Sequence, residues 1–69
     1  MSSELGYGKV IAATEQALCF DLEEIGEDEV WIPRSVIEDD DSEVKSDAEE
    51  GAEGEVFVKT WFAEKEGLV

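Results

Sequence analysis

The residues of this chain that could do chemistry are mostly carboxylates. Twenty Asp and Glu residues stand against five Lys and Arg residues, and histidine is absent. The densest run, Asp39 to Glu43, partly matches a calcium-binding loop, which needs ligands at alternate positions, glycine at the sixth and glutamate at the twelfth. Counted from Asp39, the sixth residue is Val44 and the twelfth is Glu50. Because valine replaces the glycine of the sharp turn, we expect no dedicated metal site.

Other catalytic chemistries lack a group that they require. Paired carboxylates serve glycosidases when a rigid cleft holds them on either side of a sugar, but half of the carboxylates here lie in the glycine-containing stretch 38–55. Without histidine, the commonest general base is missing. Cys19 lies in an apolar run with anionic neighbours, which favours a buried thiol over a reactive thiolate. Gly6-Tyr7-Gly8 lacks the lysine of a phosphate-binding loop. We therefore expect neither an enzyme nor a cofactor.

The net charge is the dominant property of the sequence. It is −15 in 69 residues, whereas solubility of a small domain needs only about 2–8 charges and self-repulsion destabilises a compact state. The excess indicates a positively charged partner. It disfavours direct binding to nucleic acid or to anionic membranes, since both depend on Lys and Arg. Residues 1–4 resemble no signal peptide and no apolar stretch is long enough to span a bilayer, so we expect a cytoplasmic protein.

The carboxylates fall into two blocks, one at a predicted turn and one at residues 38–54, where glycines and the absence of aromatic residues predict a flexible loop. The expected partner-binding residues are Glu23, Glu24, Glu27, Asp28, Glu29, Glu38, Asp39, Asp40, Asp41, Glu43, Asp47, Glu49, Glu50 and Glu53. A globule of this length has a diameter of about 28 Å, and that length of duplex DNA carries about 16 phosphates. The net charge therefore resembles that of a DNA segment of the protein's own length.

The elements that position these residues are predicted to form one mainly β domain, of α+β type, over residues 1–69. Alternating apolar residues predict strands at 7–14, 17–22, 29–32 and 55–59, the first two joined by a hairpin. Thr60 is predicted to cap a helix over 61–66 that ends at Gly67. We expect a small bent antiparallel sheet or open barrel of about four strands with one short C-terminal helix. Its expected core is Leu18, Phe20, Val30, Ile32, Val56, Val58 and Trp61. Because Asp39, Asp40, Asp41 and Glu43 lie outside the strands, we expect their neutralisation to leave the fold intact.

Small size, a single domain and heavy acidity resemble the phage-encoded DNA-mimic inhibitors, which include acidic anti-CRISPR proteins. In addition, Val30-Trp31-Ile32-Pro33-Arg34-Ser35-Val36-Ile37, followed by the strand at 56–59 and by Trp61-Phe62-Ala63-Glu64, resembles a pattern in small phage and prophage proteins. The first resemblance implies a target among the nucleic-acid-binding proteins of host defence. It assigns no role to a single residue, because DNA mimics share charge layout rather than sequence.

Two functions remain open at this point. The first is an acidic inhibitor that occupies the DNA-binding surface of a bacterial defence protein, for example a CRISPR effector. The second is a small barrel-like accessory module that docks through an edge strand or an aromatic face, its acidity serving solubility. A nucleic-acid platform of Tyr7, Trp31, Phe57 and Trp61 is disfavoured, because no positive groove accompanies these aromatic residues. The sequence predicts no particular oligomeric state.

Overall fold

The computed structural model describes residues 1–68. Four strands form one antiparallel sheet in the order β3-β2-β1-β4, with β1 at Ser2–Ala13, β2 at Ala17–Leu22, β3 at Glu27–Pro33 and β4 at Glu53–Lys59. Helix α1 (Thr60–Lys65) follows β4, and short 3-10 helices at Glu23–Ile25 and Arg34–Val36 flank β3. The predicted fold class, mainly β with one short C-terminal helix, is confirmed. None of the described helices is long and apolar enough to cross a membrane.

Strand β1 is longer than its sequence indicates. It begins at Ser2 rather than at residue 7, because Ser2 and Ser3 pair with Lys59 and Val58 at the end of β4. The hairpin to β2 is confirmed, and the N–H of Thr14 closes it with a 2.9 Å hydrogen bond to the carbonyl of Ala17. Strands β3 and β4 also begin earlier than predicted, so Glu53 belongs to β4 and not to the loop.

The core lies on one face of the bent sheet. Its residues are Leu5, Val10, Leu18, Phe20, Leu22, Ile32, Val36, Ile37, Val44, Val56, Val58, Phe62 and Ala63. Gly8 allows the sheet to close over this core. A Cβ atom at Gly8 would lie 2.7 Å from Leu22 Cδ2 and 3.0 Å from Val56 Cγ2, closer than side-chain carbons approach one another.

Two predictions at the start of α1 are wrong. Trp61 is 56% exposed, whereas its neighbour Phe62 is 6% exposed and packs in the core. Thr60 is the first helical residue rather than the cap, and its hydroxyl lies 3.0 Å from that of Ser3. The physical reason is that the helix begins at Thr60, directly after β4, instead of at residue 61, and this start turns Phe62 toward the sheet. Val30, also predicted to be core, is half-buried and packs against the core.

The end of α1 agrees with the sequence. Gly67 has a φ of 70° and its N–H donates to the carbonyl of Glu64 at 3.2 Å. The N–H of Leu68 donates to the carbonyl of Ala63 at 2.8 Å. This pair of bonds is the Schellman arrangement that ends many helices. Leu68 then packs against the core, as the sequence predicts for the residue after the glycine.

The acidic segment, residues 38–52, lies along the outer edge of β4. Ile37 forms a single bridge with Val58, and the chain then runs beside the strand. The N–H of Glu55 donates to Glu43 Oε1 and the carbonyl of Glu55 accepts from the N–H of Glu43, both at 2.9 Å. The N–H of Phe57 donates to Ser42 Oγ at 2.5 Å. The backbone groups at this edge of the sheet are therefore satisfied by the acidic segment.

Arg34 holds the other end of the acidic segment. Its guanidinium donates to the carbonyls of Ser46 and Ala48 at 3.0 and 2.8 Å, and to the carbonyl of Thr14 at 2.7 and 3.0 Å. It thereby ties the segment to the β1–β2 hairpin. Val44, the one large apolar residue of the segment, is 2% exposed. These contacts fix the position of the acidic segment in the structure. Its predicted flexibility stays a prediction.

Candidate functional site

The surface carries negative charge with very little compensation. None of the twenty carboxylate residues is buried. Within residues 1–68 the single ion pair joins Lys59 Nζ and Glu38 Oε1 at 3.9 Å, and an exposed pair of this kind contributes little stability. The whole body has Cα extents of only 24 × 23 × 18 Å. The resulting density of unpaired carboxylates is the feature that any function has to explain.

Several predicted partner-binding residues have structural roles. Five of them accept a hydrogen bond or form the ion pair within the chain: Glu24, Glu38, Asp39, Asp41 and Glu43. Asp39 is the clearest case, because its carboxylate accepts from the N–H and the hydroxyl of Ser46 at 2.6 and 2.9 Å. These bonds hold the pKa of Asp39 below its usual value. The expectation that neutralising this run leaves the fold intact stays a prediction, and for Asp39, Asp41 and Glu43 the change also alters an acceptor of a hydrogen bond within the chain.

Apart from Glu53, which is hydrogen-bonded to the Tyr7 phenol, the remaining predicted residues divide into two groups of equal charge. In the described chain, these side chains are exposed and make no hydrogen bond or ion pair. The turn group consists of Glu23, Glu27, Asp28 and Glu29, and the loop group consists of Asp40, Asp47, Glu49 and Glu50. They are the carboxylates that a partner can contact without competing with the fold.

The two blocks meet on the outer face of the sheet, around Tyr7. The Tyr7 side chain is 44% exposed there, and Glu24 Oε2 accepts a 2.7 Å hydrogen bond from its backbone N–H. A hydrogen bond with Glu53 raises the pKa of the Tyr7 phenol, and partial burial and the charges of Glu53, Glu43 and Glu23 raise it further. The fold therefore brings carboxylates from the turn and from the acidic segment to one place.

Glu55 is the most crowded carboxyl group of this face. Its Oε2 atom is enclosed and has no donor among the described residues. A hydrogen bond with the carboxyl group of Glu4 raises the pKa of Glu55, because that bond requires a proton on one of the two groups. Burial and the charges of Glu4, Glu24 and Glu43 act in the same direction. The neighbouring carboxylates of the sheet face thus disfavour the charged form of Glu55.

Sequence reasoning missed Glu4, Tyr7 and Glu55 as members of this cluster. The signal was present in the strand alternation, since Glu53 and Glu55 alternate with Gly54 and Val56, which are buried. This alternation did not reveal the cluster, because β4 was predicted to begin at residue 55 and β1 at residue 7, so Glu53 and Glu4 were not placed in strands. The pairing of Tyr7 with Glu55 then fixes which side chains are neighbours.

Exposed aromatic residues accompany this charge. Trp31 lies on the edge strand β3, is 50% exposed and pairs with Cys19 of β2. It lines a groove of about 280 Å³ together with Glu27, Glu29, Val30, Glu66 and Leu68. Ile11, which is 39% exposed, follows Val10 at a bulge in β1.

Cys19 itself is 1% exposed, and burial followed by the charge of Glu29 raises the pKa of its thiol, so it is protonated and unreactive at neutral pH.

The fold and the surface together define a small antiparallel β domain with an uncompensated acidic surface. No group of three or more Asp, Glu or Cys side chains within residues 1–68 is arranged to hold a metal ion. No family model, curated protein or solved structure matches the chain. The resemblance to DNA-mimic inhibitors therefore stays a prediction.

Proposed function

We propose that this protein is an acidic DNA mimic, a non-catalytic inhibitor that occupies the nucleic-acid-binding surface of a positively charged partner protein. The observation that carries the proposal is the uncompensated surface: twenty carboxylate residues, none buried, against a single ion pair within residues 1–68. A duplex as long as the 24 Å body carries about 14 phosphates, close to the net charge of −15.

The partner class follows from the same charge. A groove that binds DNA is lined with Lys and Arg, and it attracts any compact body of similar negative charge density. The target we propose is a DNA-binding protein of bacterial defence, for example a CRISPR effector. Attraction of this kind accelerates association at low ionic strength and weakens steeply as salt rises.

Competition with duplex DNA is the deciding experiment. The partner is first captured from host lysate on the immobilised protein at low and at high salt. The purified partner is then titrated with labelled duplex DNA in the presence of increasing amounts of this protein. We expect each ligand to displace the other. A partner that binds both at once, with unchanged affinities, contradicts the proposal.

The two groups of free carboxylates locate the contact surface. One variant carries Glu23→Gln, Glu27→Gln, Asp28→Asn and Glu29→Gln, and the other carries Asp40→Asn, Asp47→Asn, Glu49→Gln and Glu50→Gln. Both change the net charge equally and neither removes a hydrogen bond described above. We expect at least one variant to bind the partner more weakly at low salt. Unchanged binding of both variants contradicts a charge-based function.

The second candidate is an accessory module that docks through the aromatic side of the sheet. The exposure of Tyr7, Ile11 and Trp31 favours it. This function predicts that Trp31→Ser abolishes partner binding while both charge variants are nearly silent. Arg34 is not a clean test of it, because its guanidinium is occupied by backbone carbonyls.

A further inference from the structure

The two edges of the sheet differ in whether their outward-facing backbone groups are hydrogen-bonded. The acidic segment satisfies the backbone of β4, the strand at one edge. Strand β3, at Glu27–Pro33, is the strand at the other edge. Within residues 1–68, no hydrogen bond reaches the side of β3 that faces away from β2. An unpaired edge presents rows of N–H and C=O groups that an extended chain can pair with.

The groove at Trp31 runs beside this open edge. It is bordered by residues from both faces of β3 and by the C-terminal end of α1. Half of the Trp31 surface is exposed, and Glu27, Glu29 and Glu66 line the same groove. A guanidinium stacks on an indole and binds carboxylates through its planar fork. An arginine side chain therefore fits the chemistry of the groove better than a lysine, whose ammonium neither stacks nor forms paired bonds.

We propose that the open edge of β3 and the groove at Trp31 bind an extended, arginine-containing segment of a partner protein. The segment adds to the sheet as a further strand and places an arginine side chain over Trp31. A second copy of this chain does not fit, because it brings its own Glu27, Asp28 and Glu29 to the same edge and like charges across paired strands are destabilising. This recognition mode goes beyond charge mimicry, since it depends on backbone pairing and on one aromatic residue.

A peptide titration tests the proposal directly. The ¹⁵N-labelled protein is titrated with the peptide acetyl-Thr-Arg-Thr-Arg-Thr-Arg-amide and followed by nuclear magnetic resonance. We expect the largest shifts at the backbone amides of β3 and at the indole N–H of Trp31, with slower hydrogen exchange at the amides of β3 that face away from β2. The matched peptide acetyl-Thr-Arg-Pro-Arg-Pro-Arg-amide has the same charge but cannot form the ladder. Equal affinity for the two peptides overturns the proposal.

Matched variants separate the groove from general charge attraction. Trp31→Leu should weaken binding about two- to fivefold, the value of a cation–aromatic contact at an exposed site. Trp61→Leu, at an equally exposed tryptophan outside the groove, should leave it unchanged. The triple variant Glu27→Gln, Glu29→Gln, Glu66→Gln should bind more weakly than Asp40→Asn, Asp47→Asn, Glu49→Gln, which has the same net charge. Equal loss in the two triple variants, or equal effects of the two tryptophan changes, overturns the proposal.

The outcome is independent of the DNA competition described above. Peptide binding at β3 together with simultaneous binding of DNA and this protein by the partner rejects the mimic function alone. Mutually exclusive binding of DNA without peptide binding at β3 rejects the strand-addition site alone.

Discussion

Ser42 links the acidic segment to the sheet, and its removal is the sharpest test of that contact. It is the single polar residue buried among residues 1–68, at 2% exposure. Its hydroxyl oxygen accepts from the N–H of Phe57 at 2.5 Å and donates to the carbonyl of Phe57 at 3.1 Å. In Ser42→Ala both bonds are lost. The carbonyl of Phe57 still accepts a 2.9 Å hydrogen bond from the N–H of Glu38. The N–H of Phe57 is therefore the group left without a partner.

The magnitude follows from that single orphaned donor. Leaving a buried polar group unsatisfied costs about 1–3 kcal/mol. For a domain of this length, 1 kcal/mol lowers the melting temperature by about 4–8 °C. The total stability of a small domain is only about 5–15 kcal/mol. The variant should therefore fold but melt well below the wild-type protein.

Urea and thermal unfolding, followed by tryptophan fluorescence and circular dichroism, measure this loss. Ser35→Ala is the matched control, because Ser35 is exposed and its hydroxyl makes no hydrogen bond within residues 1–68. We expect the control to melt as the wild-type protein does. If Ser42→Ala also melts at the wild-type temperature, the acidic segment is not docked on β4 in solution and the reasoning is refuted.

Three further outcomes are expected. Gly8→Ala should lose about 1–3 kcal/mol in urea unfolding, because the new methyl group meets packed side chains; wild-type stability contradicts that packing. Phe62→Ala should lose about 3–5 kcal/mol, whereas Trp61→Ala, at an exposed site, should lose much less, and the reverse order would mean that α1 docks by its other face. The melting temperature should fall as pH rises from the ordinary carboxyl pKa through the raised pKa of Glu55, since the folded state binds this proton more tightly. Glu55→Gln should flatten that slope, and an unchanged slope would assign it to other groups.

The strands were predictable where the information is local. Leu18, Phe20 and Leu22 alternate with less apolar residues, and the hairpin before them is marked by Thr14 to Gln16. The start of β1 was not predictable, because Ser2 and Ser3 are polar and become strand only through pairing with β4. A helix as short as α1 has too few turns for its period to show which of two adjacent aromatic residues faces the core.

The candidate site was predictable in composition but not in role. Charged side chains stay at the surface for lack of buried partners, so the exposed position of the predicted carboxylates follows from their type. The path of the acidic segment depends on contacts far apart in the sequence, such as Arg34 with Ala48 and Glu43 with Glu55. Val44, a lone valine among carboxylates, was the local sign that this segment returns to the core.

The covered β4 edge limits how many molecules can join through strands. A fibre grows only when each unit has two free edges, one to receive a strand and one to offer it. Here the unit is monovalent, because the acidic segment already occupies one side. Strand addition at β3, as proposed above, would therefore end after one event, because the added strand meets no second free edge of this chain. We therefore expect each copy of this chain to bind one partner segment, with no growth of fibres.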